Sequence, residues 1–471
     1  MTLLALIFLL CCHFLSGYGI LTLFSIRCKI AVTVSLSLLL GIAVASILPF
    51  GLQLLDIRLT TFTVFLSIGM ASLLLNVRTL MLIRRDGFPR IPPGAFRIRV
   101  YEIPPILLLV FLVFVSVWRC YYMPPTSRDA LSGPEAIAEF AFREHTMINS
   151  FFQTDLSIDN NQFKSPFLIS LQLIYKMAGL PFGQVWLSVV FIAFTVLLYK
   201  FLTERLHPVI AGILLALFTM TPQLYAYTFM ILYDYSNTVF LFLSLYFLFE
   251  YFRDKAAGLL YFAALLMGIA TYIRSETLVL ALFFLPALFL MQIREKYKFR
   301  RILYHQAFFL LPSLLAYYLT VKLYIVHYLP VHYDIGSLMN AHPGDWRPLG
   351  RRFGDIFKHL VTGEFAIQCW GYFMYIFAAL VVADLLCYRR FFREGRNWLY
   401  AVGVIFVCLG LLGFLLPLFD LWNTTKRGLM KIIPLMLFYM ANSEILARLS
   451  GWITRWQSGE SRRPDRGPVT E

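Results

Sequence analysis

Nearly uncharged apolar stretches of about 17 to 24 residues recur along the whole chain, for example over 100–117 and 256–273. They are apolar on every side of a helix and lack the period-two alternation of a barrel strand, which excludes a transmembrane β-barrel. In lipid such a stretch satisfies its own backbone N–H and C=O groups only as a helix. Composition agrees. Of 471 residues, 59% are hydrophobic and 14% charged, with a mean hydropathy of +0.72; a soluble domain carries about 25% charged residues. A soluble enzyme, a nucleic-acid-binding module, a disordered chain and a disulfide scaffold are excluded. The expected fold is an all-α polytopic membrane protein.

The pattern predicts about thirteen spans. Three of them, at 3–24, 31–50 and 60–83, form an N-terminal membrane extension over 1–83. The basic, Pro/Gly-rich linker 84–102 (RRDGFPRIPPGAFRIRVYE) joins them to a second membrane domain over 103–447. Its spans are expected at 103–120, 185–202, 208–223, 236–252, 256–273, 277–293, 305–326, 367–388, 398–418 and 428–446. Residues 448–471 read as a basic tail. The net charge of +15 is unevenly shared: most of the 41 Lys and Arg fall on one side when the spans alternate. The positive-inside rule then puts the N-terminus outside and the C-terminus in the cytoplasm. Arg27 and Lys29 follow the first apolar run rather than preceding it, which reads as a retained helix and not a cleaved leader. The 7 cysteines lie mostly inside apolar runs, no C-x-x-C occurs, and a Cys120–Cys369 disulfide is the one pairing the topology suggests.

Two outer loops, 121–166 and 327–366, are long and mixed in composition, as folded functional loops are. In the first, an aromatic belt (Trp118, Tyr121, Tyr122) and Pro124-Pro125 lead directly to Arg128-Asp129. A carboxylate at the membrane boundary can serve as a general base, pair with a neighbouring Arg, or cap the next helix. Residues 164–179 read as a short amphipathic helix along the interface. The second loop holds His327, His332, Asp334, His342 and Asp345, whose spacing fits no compact metal motif. No cofactor is expected from these residues.

The order of these features resembles a known family. An outer Asp near the end of a helix is followed by a loop and then KSPFLISLQLIYKMAGLPFGQ, where Ser165-Pro166-Phe167-Leu168 opens a helix and Gly179 or Gly183 closes it. This is similar to GT-C class membrane glycosyltransferases of the protein O-mannosyltransferase and lipid A aminoarabinose transferase group. TYIRSETLVL (271–280) and TTKRGLMKIIPLMLFY (424–439) resemble that family's later outer turn and last span. The likeness covers about 103–293, more loosely the later spans, and not 1–83. Asp129 is followed by Ala130 where several relatives carry Asp-Glu; the next carboxylates are Glu135 and Glu139.

The resemblance implies a GT-C-like bundle that takes a sugar from a polyprenyl-phosphate donor in the bilayer, with inversion, to a lipid, glycan or protein acceptor on the outer face, in cell-envelope glycan biosynthesis. Asp129 would be the base. Arg274, Lys426 and Arg427 would bind the donor phosphate, and Arg128, Glu135, Asp234, Glu276 and Arg351 would contact substrate. Implied partners are membrane lipids, the lipid-linked sugar, the acceptor and a membrane partner docked through 1–83, with no nucleic acid. Two other classes remain open on the residues alone: a lipid or glycolipid flippase, and a non-catalytic GT-C-like scaffold of an envelope-assembly complex.

Overall fold

A computed structural model describes residues 2–86, 100–153, 163–329, 347–388, 393–415 and 420–458. The described residues are helical and contain no strand. The N-terminal group is α1 (Thr2–Leu23), α2 (Ile30–Leu54), α3 (Thr61–Leu75) and α4 (Val77–Asp86). Then follow α5 (Ile103–Tyr122), the loop helices α6 (Arg128–Leu131) and α7 (Pro134–Glu144), α8 (Pro166–Met177), α9 (Val185–Thr203), α10 (Pro208–Thr219) and α11 (Pro222–Ala226). Next come α12 (Tyr233–Asp254), α13 (Ala257–Ile273), α14 (Thr277–Arg294) and α15 (Phe299–Tyr317), the last continuing through π-helical turns to Tyr328. The chain closes with α16 (Arg347–Asp355), α17 (Glu364–Trp370), α18 (Phe373–Tyr388), α19 (Arg393–Leu415), α20 (Lys426–Leu429), α21 (Ile433–Ala441) and α22 (Glu444–Ser458).

Among the described residues, seven helices are long and apolar enough to cross a membrane, or nine if each of two bent pairs is one span. The bent pairs are α17–α18, which meet at 100°, and the segment through α21 with α22, which meet at 52°. Gly371 makes the first bend, with φ 57° in the left-handed region that a side chain disfavours. Helices α3, α10 and α13 are apolar but shorter. The chain is therefore an all-α membrane protein. Proline marks the starts: it stands in the first turn of α5, α7, α8, α10, α11 and α21, where its missing N–H costs nothing.

The core is built around α12, which is buried on nearly every side. Two of its buried polar side chains tie it to its neighbours: the Asn237 amide donates to the Ala270 carbonyl at 2.7 Å and to Thr277 Oγ1 at 2.9 Å, and Ser244 donates to the Ala263 carbonyl at 2.8 Å. Helix α13 lies between α12 and α15. The N-terminal helices join this body, since α2 packs on both α8 and α9. Polar ties cross the same junction, including His13 to Tyr175 (3.2 Å) and the Met147 N–H to Gln53 Oε1 (2.9 Å).

Helix α8 departs from expectation. It is not an interfacial helix but one buried on almost every residue. The N-terminal helices cover the side that would otherwise meet lipid headgroups, and its polar residues Gln172, Tyr175 and Lys176 each gain a partner. Its closing turn uses both expected glycines in left-handed backbone, Gly179 (φ 81°) and Gly183 (φ 65°). Cys120 and Cys369 are both buried and free, so the suggested disulfide is absent.

Helices α1 and α2 approach so closely that a Cβ on Gly17 would strike the Ser37 backbone, and one on Gly41 the His13 backbone. Small residues at such crossings let the two backbones touch. Gly17→Ala and Gly41→Ala should each cost about 1–3 kcal/mol, read as a lower thermal midpoint of the purified protein. An unchanged midpoint in both would mean that these helices do not pack as described.

Candidate functional site

The site grows from one guanidinium. Arg274 leaves the end of α13 in extended backbone (φ −141°), which turns its side chain across the bundle end instead of along the helix. It forms an ion pair with Asp234 in the first turn of α12 and a second, at 2.6 Å, with Glu276 just before α14. Glu276 Oε1 also meets Lys431 Nζ at 3.3 Å. Asp234 and Lys431 are 2% and 3% exposed, so these charges are withdrawn from water.

The first loop enters from the side. Ser127 caps α6 by accepting from the Ala130 N–H at 3.1 Å, so Asp129 is released from capping. Its carboxylate instead pairs with Arg427, which is 298 positions away in sequence. Tyr227 stands against Asp234 and Arg427; burial, and then the Asp234 charge, push its phenol up to about 12. Lys164 is brought in by two clamps on its neighbour: Ser165 Oγ donates to the Tyr272 carbonyl at 2.5 Å, and Tyr233 OH donates to the Ser165 carbonyl at 2.7 Å. Lys164 pairs with none of the three carboxylates, and its ammonium is held below its ordinary value by burial and then by Arg274.

Five of the residues singled out in the sequence thus meet: Asp129, Asp234, Arg274, Glu276 and Arg427. The four others do not join them. The Lys426 ammonium lies 5.1 Å from the centre of the Phe365 ring. Arg128 is exposed beside Asp129, and Arg351 is exposed on α16 at a cavity of about 190 Å³ shared with Arg352, Asp355 and Phe414. Glu135 belongs to a separate buttress between α7 and α8. It pairs with Lys176 at 2.7 Å and accepts from Gln172 Nε2 at 2.5 Å, while Gln172 Oε1 accepts from the Trp186 indole at 2.8 Å. Glu139 completes that buttress at 2.8 Å from Lys176.

Sequence reasoning missed Lys164, Lys431 and Tyr227. Lys431 stands four residues after Arg427 in an apolar run, a signal that was present, since a charge at membrane depth is costly and needs a reason. Lys164 directly precedes the Ser165-Pro166 pair. Only the fold brings Tyr227 to the cluster.

Among the described residues, four cations (Lys164, Arg274, Arg427, Lys431) stand against three carboxylates (Asp129, Asp234, Glu276), one positive charge in excess. Buried ion pairs are a weak source of stability, because desolvation cancels much of their attraction. A cluster of this size, 15–27% exposed at Arg274, Glu276, Arg427 and Asp129, is better suited to bind an anion at its open edge. Among the described residues no group of three or more His, Cys, Asp and Glu side chains could hold a metal ion; His332, Asp334, His342 and Asp345 lie outside them. No family model, curated protein or solved structure matches this chain.

Burial pushes the Glu276 carboxyl up, but Arg274 and Lys431 outweigh it and hold it down at about 2. A folded value below the ordinary 4.5 means its contribution is full above pH 4.5 and is lost as pH falls from 4.5 toward 2. Glu276→Gln should cost about 3–5 kcal/mol at neutral pH, because buried Lys431 loses its carboxylate and Arg274 loses one of its two. Thermal midpoints followed across that pH window should fall less steeply in the variant than in the wild type. Parallel curves would show that Glu276 is not held in this way.

Proposed function

We propose that this protein is a membrane glycosyltransferase that moves one sugar from a polyprenyl-phosphate donor to a lipid, glycan or protein acceptor outside the cytoplasm. The observation that carries the reading is the cluster itself. A loop carboxylate, Asp129, lies against a cation of the last span, Arg427, with further cations beside it and, among the described residues, more cations than carboxylates. The motif order from Asp129 through the Ser165-Pro166 helix start to Arg274 and Arg427 supports the same class. In this reading the chain has about thirteen spans, counting the bent pairs, the shorter apolar helices and α12, and its N-terminus faces outward in a bacterial inner membrane.

The chemistry follows from the charges. The acceptor hydroxyl or amine attacks the anomeric carbon in line with the bond to the phosphate oxygen. As the new bond forms, that carbon–oxygen bond breaks, the acceptor proton passes to Asp129, and the lipid phosphate leaves with one more negative charge. Arg427, Arg274 and Lys164 stabilise that developing charge. The donor phosphate competes with Asp129 for Arg427, so binding of the donor frees the carboxylate to act as base. Arg274 remains anchored by Asp234 and Glu276. Attack from the face opposite the phosphate inverts the anomeric configuration.

Membranes carrying wild-type or variant protein, supplied with a panel of radiolabelled polyprenyl-phosphate sugars, test this. Asp129→Asn should lower transfer about 10²–10⁴-fold, and Arg427→Gln should abolish it by removing phosphate stabilisation. Lys426→Gln, whose ammonium faces Phe365, should transfer within about twofold of wild type, a difference too small to count as lost transition-state binding. Full activity in Asp129→Asn would remove it as the base. Absence of transfer from every donor by folded protein would overturn the glycosyltransferase reading in favour of a flippase or a scaffold.

A further inference from the structure

Helix α22 is divided lengthwise into three strips. One docks on the bundle. Asp384 of α18 accepts from Ser443 Oγ (3.1 Å) and from the Ile445 N–H (3.4 Å) at the start of α22. Farther along, Ser450 Oγ accepts from the His207 N–H at 2.7 Å, and Gln457 lies 3.0 Å from the His207 ring. The second strip is apolar and uncovered: Leu449, Trp452 and Trp456, at helical spacings of three and four, are 43%, 58% and 65% exposed. The third, alongside Trp452, carries Arg448 and Arg455. Arg448 is held by Glu444 at 2.9 Å and stacks over Tyr388 at 4.4 Å.

Two observations identify what covers the apolar strip. Helix α22 touches α18, which exposes Val382, Leu385 and Leu386 as a lipid-facing helix does. Its composition, two tryptophans beside two arginines, is that of a helix at the headgroup level, where an indole buries its ring and keeps its N–H wet. Helix α21 runs from the cluster end of the bundle to α22, so α22 sits at the opposite end. We propose that α22 lies in the plane of that membrane boundary, with Leu449, Trp452 and Trp456 in the acyl–headgroup region and Arg448 and Arg455 among anionic lipid headgroups. The inference is independent of the reaction catalysed.

The test uses the full chain with its exposed Cys11, Cys28 and Cys387 changed to serine, reconstituted in vesicles of phosphatidylcholine and phosphatidylglycerol. Single cysteines replace Trp452 or Trp456 on the apolar strip, and Ala447 or Thr454 on the far side of the helix, each carrying a nitroxide. Labels at 452 and 456 should collide more with oxygen than with a water-soluble nickel chelate, and labels at 447 and 454 should do the reverse. Equal nickel access at all four positions would put the strip in water. Shielding of 452 and 456 from both reagents would mean that protein covers it, and oxygen preference at all four would mean a spanning helix. Each of these results overturns the proposal. Labels at 452 should also sit deeper with phosphatidylglycerol present than in phosphatidylcholine alone, and Arg455→Gln should reduce that difference. The same depth in both lipids would overturn the anionic-headgroup assignment.

Discussion

Arg274 is the contact on which the rest of the site depends. A guanidinium withdrawn from water must be matched by charge or it will not stay there, and Arg274 is matched twice, by Asp234 and by Glu276. Those two pairs join the start of α12, the end of α13 and the start of α14 at one end of the bundle. Lys431 extends the chain of charges to the segment leading into α21. The position of Arg427 four residues earlier, and through it that of Asp129, follows from this anchoring.

Around the cluster the bundle behaves as a rigid frame. The central helix α12 is held by aromatic packing and by the hydrogen bonds that Asn237 and Ser244 donate, so its N-terminal Asp234 has little freedom. Helix α8 is held on one side by the N-terminal helices and on the other by the Glu135–Lys176–Gln172 buttress. That packing makes the residues before α8, Lys164 and Ser165, a fixed wall of the site. The N-terminal extension therefore contributes to the site indirectly, by turning an expected surface helix into a buried one.

Legibility in the sequence varied with the range of the interaction. The helices were legible because each apolar run carries its own signal, and prolines mark where many of them begin. Asp129, Arg274 and Arg427 stood out because charges beside apolar runs are costly. Glu135 lies outside the cluster, paired with Lys176, and nothing local distinguishes a carboxylate facing Lys176 from one facing the cluster. Lys426 and Arg427 are adjacent in sequence, yet the helical turn sends one toward Phe365 and the other toward Asp129.

The sequence by itself determined that the chain is helical and membrane-embedded, since backbone groups in lipid leave no other solution and the apolar runs are written residue by residue. It also determined which side chains were too polar for their surroundings to be incidental. Only the tertiary structure decided which of these charges meet. Pairing between Asp129 and Arg427, or between Asp234 and Arg274, depends on where distant helix ends converge, and that is a property of how the helices pack. It decided in the same way that α8 is buried and that one strip of α22 is left uncovered, because burial is a relation between elements and no single stretch of sequence contains it.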